Sequence, residues 1–186
     1  FKLGERNILI TFHPVTLEKS TSEVQFQALL DSISELSNTK IIFTKANSDT
    51  DGRVINSMID DYVAINDNSI AFTSMGALNY LSALQFVDVV VGNSSSGLLE
   101  APSFNIATID IGDRQKGRIK ADSVISCSPT QESIRSAFDK SYSEDFQNIV
   151  DNTKNPYGNG GASKIVVDII KDFDLNGILK KIFYDL

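Results

Sequence analysis

Short apolar runs alternate along the chain with longer stretches whose apolar positions recur at helical spacing. Residues 7–12 (NILITF) predict a strand. Residues 22–37 (SEVQFQALLDSISELS) predict a helix, with Val24, Leu29, Ile33 and Leu36 on one face and Thr21 or Ser22 as the N-cap. Residues 40–44 (KIIFT) predict a buried strand, and 52–65 a second amphipathic helix with Ile55, Ile59, Tyr62 and Val63 inward. The alternation continues with a strand at 69–73, a helix at 76–86, a strand at 87–91, a short helix at 95–103 and a strand at 105–111. The run SVISC (123–127) is a further strand, followed by helices at 130–140 and 144–152 and nearly continuous helix to the end.

Strands alternating with helices imply right-handed βαβ crossovers and a parallel sheet covered on both faces. About six strands fit one doubly wound α/β domain over 1–186. No internal repeat, low-complexity tract or long linker interrupts the pattern. Ligands of such sheets sit beyond the carboxyl ends of the strands, so the strand-end turns are where chemistry is expected.

Those turns are polar. The first strand ends at His13-Pro14, and the second runs into Lys45-Ala46-Asn47-Ser48-Asp49. The fourth breaks into Gly92-Asn93-Ser94-Ser95-Ser96-Gly97, and the fifth into Gly112-Asp113-Arg114-Gln115-Lys116-Gly117-Arg118. The serine turn offers backbone N–H groups at a helix start plus three hydroxyls, which suits an anion and equally suits an ordinary helix cap. Gly92 and Gly97 have the spacing of a P-loop, but Leu98-Leu99 stands where Lys-Ser/Thr is required, and no G-x-G-x-x-G follows the first strand. Any phosphate would be held without a P-loop lysine or magnesium, and no residue cluster suggests another metal site.

Glu100 reads either as a solvated helix residue or as an acceptor for a ribose diol; the nucleotide-like edge favours the diol. The Arg114–Arg118 loop is an anion signal or a solvated loop. His13, the single histidine, is structural, or it donates to a phosphate and protonates a leaving group.

Composition narrows the field. A net charge of −7 argues against non-specific attraction to nucleic acid or an anionic membrane. The lone Cys127 forms no intramolecular disulfide, and a cytoplasmic setting is expected. In its strand-like run it reads as a buried filler rather than a nucleophile. The opening FKLGERNILITF has no initiator methionine, so we expect a piece of a longer protein.

Four ordered motifs carry a resemblance: F-H-P-V-T (12–16), G-N-S-S-S-G-x-x-E (92–100), I-G-x-R-Q-x-G-R (111–118) and N-P-Y-G-x-G-x-A-S (155–163). Together, over about Asn7 to Lys171, the chain resembles the C-terminal domain of the hydrolysing UDP-N-acetylglucosamine 2-epimerases of sialic-acid-type biosynthesis. The resemblance implies one half of a two-domain GT-B architecture. It implies elimination of UDP across C1–C2 to a 2-acetamidoglucal, then hydration with inversion at C2, needing neither NAD nor a metal. By matching motif, His13 contacts the diphosphate and assists departure of UDP. Ser94, Ser95 and Gly97 hold phosphate oxygens, Glu100 binds the ribose hydroxyls, and Arg114 and Asn47 lie near the nucleotide. Backbone groups near Ser74 and Met75 read the uracil edge.

The family's N-terminal domain, with the acidic residues that move the C2 proton, is not in this sequence. The helices of 161–186 are expected to cross toward it, leaving Ile178, Ile182, Phe183 and Tyr184 exposed. The expected partners are UDP, the UDP-sugar, that domain, and a second copy of the full-length enzyme. Two alternatives remain at this point: the same chemistry on a UDP-2,4-diacetamido-trideoxyhexose, or the nucleotide domain of a GT-B glycosyltransferase. A receiver-like module would need an acidic cluster after the first strand, where Thr11-Phe12-His13-Pro14 stands.

Overall fold

The computed structural model describes residues 1–15, 21–47 and 50–180. Thr16, Ser48, Asp49, Ile182, Phe183 and Tyr184, named above, lie outside the described residues. The chain forms β1 (Arg6–Thr11), α1 (Ser22–Ser34), β2 (Thr39–Thr44), α2 (Thr50–Ile65), β3 (Ser69–Phe72), α3 (Gly76–Ala83) and β4 (Val89–Gly92). It continues with α4 (Ser96–Leu99), a 3₁₀ turn (Ala101–Phe104), β5 (Ala107–Ile111), β6 (Val124–Cys127), α5 (Gln131–Ser141), α6 (Glu144–Asp151) and α7 (Ala162–Asp172).

The six strands make one wholly parallel sheet in the order β3-β2-β1-β4-β5-β6. From β1 the chain adds strands outward to β3, then returns to add β4 on the other side of β1. The topological switch point therefore lies between β1 and β4, where a doubly wound sheet leaves a crevice at its carboxyl edge. In register at that edge, Thr11 stands beside Thr44 on one side and Gly92 on the other.

Side chains alternate across the sheet with period two. On β1, Ile8 and Ile10 join Phe12, Phe26, Phe43 and Phe138 in the larger core. Leu9 faces the other way with Ile42, Leu84, Val87, Val90, Ala101 and Ile106. The inward face of α1 differs from its expected one. Val24 is 72% exposed and Phe26 is buried in its place, its ring 5.6 Å from that of Phe12. One large aromatic contact buries more apolar area than a valine, and it turns the helix accordingly. Thr21 does hold the N-cap position, and its hydroxyl accepts from the Gln25 side chain (3.2 Å).

Two helix expectations are corrected. The stretch 95–103 is not one helix: α4 is a single turn, and Ala101–Phe104 is 3₁₀ with Pro102 in its first positions. Proline has no N–H to continue an α-ladder, so the chain tightens and restarts there. Among the described residues of the C-terminal stretch, helix ends at Asp172, and 173–180 forms turns. Asp174 accepts the Asn176 N–H (2.9 Å) and Gly177 takes φ +76°, a side-chain-closed turn that competes with helix.

Candidate functional site

At the carboxyl edge, β4 must leave the sheet without striking β1. Gly92 makes this feasible with φ +134°; a Cβ there would sit 2.0 Å from the Thr11 carbonyl oxygen. The next residue, Asn93, is 1% exposed. Its N–H donates to the Thr11 carbonyl (3.2 Å), and its side chain pairs with the backbone of His13. Gly97, buried on α4, packs against β5, where a Cβ would meet Thr108 Cγ2 at 2.6 Å. Thr108 Oγ1 in turn donates to the Gly97 carbonyl (2.9 Å).

A cleft of about 550 Å³ opens over the switch point. His13, Asn47, Ser74, Met75, Ser94 and Glu100 all line it, so six of the residues singled out from sequence converge on one concavity although they come from four separate segments. Ser95 and Gly97 sit in the same turn but do not line it. Ser95 is the N-cap residue of α4, and its carbonyl accepts the N–H groups of Leu98 and Leu99 (3.0 and 2.9 Å). Arg114 is placed behind the turn: its guanidinium donates to the Asn93 carbonyl (3.0 Å), beside the buried Gln115 side chain, which donates to the same oxygen (2.8 Å).

Sequence reasoning passed over part of the lining, namely Thr11, Thr44, Gly76 and Tyr80, while Lys45 and Ser96, named there only as members of polar turns, line it as well. The Thr11 and Thr44 hydroxyls are hydrogen-bonded across the register of β1 and β2. Tyr80, on α3, shares a hydrogen bond with the Ser96 hydroxyl and so joins α3 to the serine turn. Lys45 is paired with Asp60 (2.6 Å), and Asn56 holds both backbone groups of Ala46, fixing the start of the loop that carries Asn47. A signal existed for Tyr80, a polar-tipped aromatic on an otherwise apolar helix face. None exists for the threonine pair, which depends on register.

Glu100 lies where α4 gives way to the 3₁₀ turn, and its Oε2 is buried with no hydrogen-bond partner. Burial raises its pKa above the usual carboxylate value, partly offset by a backbone hydrogen bond. The Tyr80 hydroxyl is raised by burial first; its bonds to Ser96 and Thr11 pull the other way, and the Glu100 charge adds to the rise. A buried carboxylate oxygen facing a cleft seeks a donor, and a ligand hydroxyl is one.

The N-P-Y-G motif stands behind this carboxylate. Asn155 donates to the Leu99 carbonyl (2.8 Å) and to the Ser103 hydroxyl (2.7 Å), while the Tyr157 hydroxyl donates to the Ile119 carbonyl (2.9 Å). It braces the junction carrying Glu100 against the loop that follows β5. On the far side of β1, a second concavity of about 540 Å³ is lined by Val15, Gly112, Asp113 and Ser126 among others, and none of the nucleotide candidates line it. Cys127 lies there, half-buried, with its thiol pushed up to about 12 by burial and then by Asp110, which leaves it protonated and unreactive near neutrality. Among the described residues, no group of three or more His, Cys, Asp or Glu could hold a metal ion, and no helix is long and apolar enough to cross a membrane.

The family model for UDP-N-acetylglucosamine 2-epimerase matches residues 2–171. The chain belongs to this family. Among curated relatives, the Campylobacter jejuni GDP/UDP-N,N'-diacetylbacillosamine 2-epimerase (hydrolyzing) is 38% identical over 100% of this chain and 48% of its own length. The Escherichia coli polysialic acid biosynthesis protein P7 is 37% identical over 92% of this chain and 44% of its own. The chain thus spans about half the length of the curated relatives it matches, corresponding to their C-terminal half. Among solved structures, S. aureus MnaA with UDP superposes with a TM-score of 0.73 at 18% identity, covering 95% of this chain and 47% of that one. At that identity the likeness carries the fold, a Rossmann-like domain of the GT-B type.

Proposed function

We propose that this chain is the UDP-binding half of a hydrolysing UDP-sugar 2-epimerase. The observation that carries the reading is the convergence of His13, Asn47, Ser74, Met75, Ser94 and Glu100 on one cleft at the switch point. Uracil lies over the start of α3 beside Ser74 and Met75, with the ribose diol on Glu100. The diphosphate lies along the serine turn, within reach of His13. Of the turn's hydroxyls Ser94 faces the cleft and is not committed as Ser96 is to Tyr80, so it is the first donor to phosphate; Ser95 follows by motif. Arg114 contributes by holding the turn through the Asn93 carbonyl.

In the reaction, a base takes the C2 proton as the C1–O bond breaks and the electron pair leaves with UDP, giving a 2-acetamidoglucal. Water then adds, its oxygen to C1 and a proton to the opposite face of C2. His13 assists the first step by donating to the departing diphosphate. The groups that move the C2 proton belong to the half of the relatives that this chain does not span. That half is also our proposed cover for α7, and the cytoplasm our proposed setting. For the sugar, two readings stand: N-acetylglucosamine, and a 2,4-diacetamido sugar favoured by the 38% identity to an enzyme named for diacetylbacillosamine.

Titration calorimetry of the chain with UDP tests the core claim. Weak but saturable binding is expected, weakened further by Ser94→Ala by about 1–2 kcal/mol. Absence of binding at millimolar UDP, with the fold intact, would overturn it.

A further inference from the structure

His13 follows β1 and precedes Pro14, so its backbone is held extended and its N–H and C=O need partners outside any helix. β4 cannot supply them by ordinary pairing, because its backbone turns away after Gly92. The Asn93 side chain supplies both: His13 N–H donates to Asn93 Oδ1 (2.8 Å), and Asn93 Nδ2 donates to the His13 carbonyl (2.7 Å). A planar amide presents one donor and one acceptor side by side, as a peptide group does. Asn93 thereby adds one rung to the β1–β4 ladder beyond the last backbone bond, from its own N–H to Thr11 (3.2 Å).

The same residue gathers a third strand end. Its carbonyl accepts from Arg114 (3.0 Å) and from Gln115 (2.8 Å), both on the loop after β5. Ser94, which lines the cleft, is the next residue along. At 1% exposure Asn93 cannot itself reach a ligand. We infer that Asn93 is a positioning residue, a side-chain rung that locks the backbone of His13 in one frame with the serine turn and the Arg114 loop. No other single-methylene side chain does this: aspartate would keep the acceptor and set a buried charge against the His13 carbonyl, and alanine would release both groups.

The ligand-linked part of the test rests on the UDP reading, and the rest does not. Because His13 is the only histidine, its imidazole gives a single set of side-chain NMR signals. In Asn93→Ala without ligand, the His13 amide should exchange at least about tenfold faster, while amides of β1 up to Ile10 keep their protection. With UDP, the variant should still bind within about threefold of wild type, its backbone bonds to Thr11 and Arg114 being unchanged, but the UDP-induced shift of the imidazole signal should fall to less than about half. Asn93→Asp, which keeps side-chain volume, should show the same loss of imidazole response.

A merely structural Asn93 would lower thermal stability and UDP affinity together and leave the imidazole response intact at saturation, which would overturn the inference. Unchanged exchange at His13 would overturn it too, as would loss of the native fold in both variants. Failure of wild type to bind UDP would instead sink the nucleotide reading, and the exchange result would still decide the role of Asn93.

Discussion

The segment from Val89 to Glu100 and the helix α7 (Ala162–Asp172) are both rich in aliphatic side chains, and they end up in opposite surroundings. In the first, Val89, Val90, Val91 and Leu98 are almost wholly buried, and the turn between them is held by β1, by β5 and by the loop after β5. In the second, Ile165, Val166, Val167, Ile169 and Ile170 are all about half exposed or more, and no residue of the helix is buried. An 11-residue helix gains little stability by itself in water, so its aliphatic face calls for cover. The turn is complete within this chain. No residue of α7 is buried among the described residues, and we propose that the half of its relatives this chain does not span covers it.

The sharpest way to break the comparison is at Gly92. Alanine there places Cβ 2.0 Å from a backbone oxygen at φ +134°, and neither strand can retreat without losing its ladder. We expect Gly92→Ala to cost about 3 kcal/mol or more, read as a fall in Tm of roughly 6–12 °C. Gly97→Ala should cost less, about 1–3 kcal/mol, because the atom it meets is a threonine methyl on β5 that can shift. Equal Tm for Gly92→Ala and wild type would show that the turn is less constrained than its geometry.

Glu100→Gln separates the turn's fold from its function. A carboxylate raised in the folded state binds more protons there than in the unfolded chain. Its contribution to stability is therefore fullest below the unfolded value and is lost as pH rises through the raised one. Above that window the ionised form weakens the fold, so Glu100→Gln should raise the ligand-free Tm at pH 7–8 and match wild type near pH 4. The same variant should weaken UDP and uridine alike, by about 1.5–3 kcal/mol, since both carry the ribose. Loss for UDP with none for uridine would move Glu100 off the ribose.

Why so much of the site could be read in advance follows from where it lies. Strand ends are visible as apolar runs breaking into Gly, Ser and Asn, and the switch-point rule says that those breaks converge. His13, Asn47, Ser94 and Glu100 were found by that logic, and they share one cleft. Thr11 and Thr44 escaped it because each is an unremarkable last residue of its strand, and only the register makes them a pair. The strand order behaves the same way: alternation announces a parallel sheet, but nothing local says that β4 returns beside β1. Val24 was misplaced because helical spacing alone cannot choose between two overlapping faces when Phe12 waits for Phe26. In 173–180, expected to be helix, the local turn formed by Asp174 and Gly177 prevails.

The smallest expected effect tests the other side of the comparison. Ile169 is 59% exposed on α7, so in this chain Ile169→Lys should change stability by no more than about 0.5 kcal/mol. Leu98→Ala, at a fully buried position in the turn, should cost about 2–5 kcal/mol in the same measurement. The two should converge when the chain is joined to the remaining half found in its relatives. If α7 is covered there, Ile169→Lys buries an unpaired ammonium and becomes severely destabilising, whereas Leu98→Ala costs the same as before. Should Ile169→Lys stay neutral in the joined protein as well, α7 lies uncovered there too, and its aliphatic face has to be explained by something other than that half.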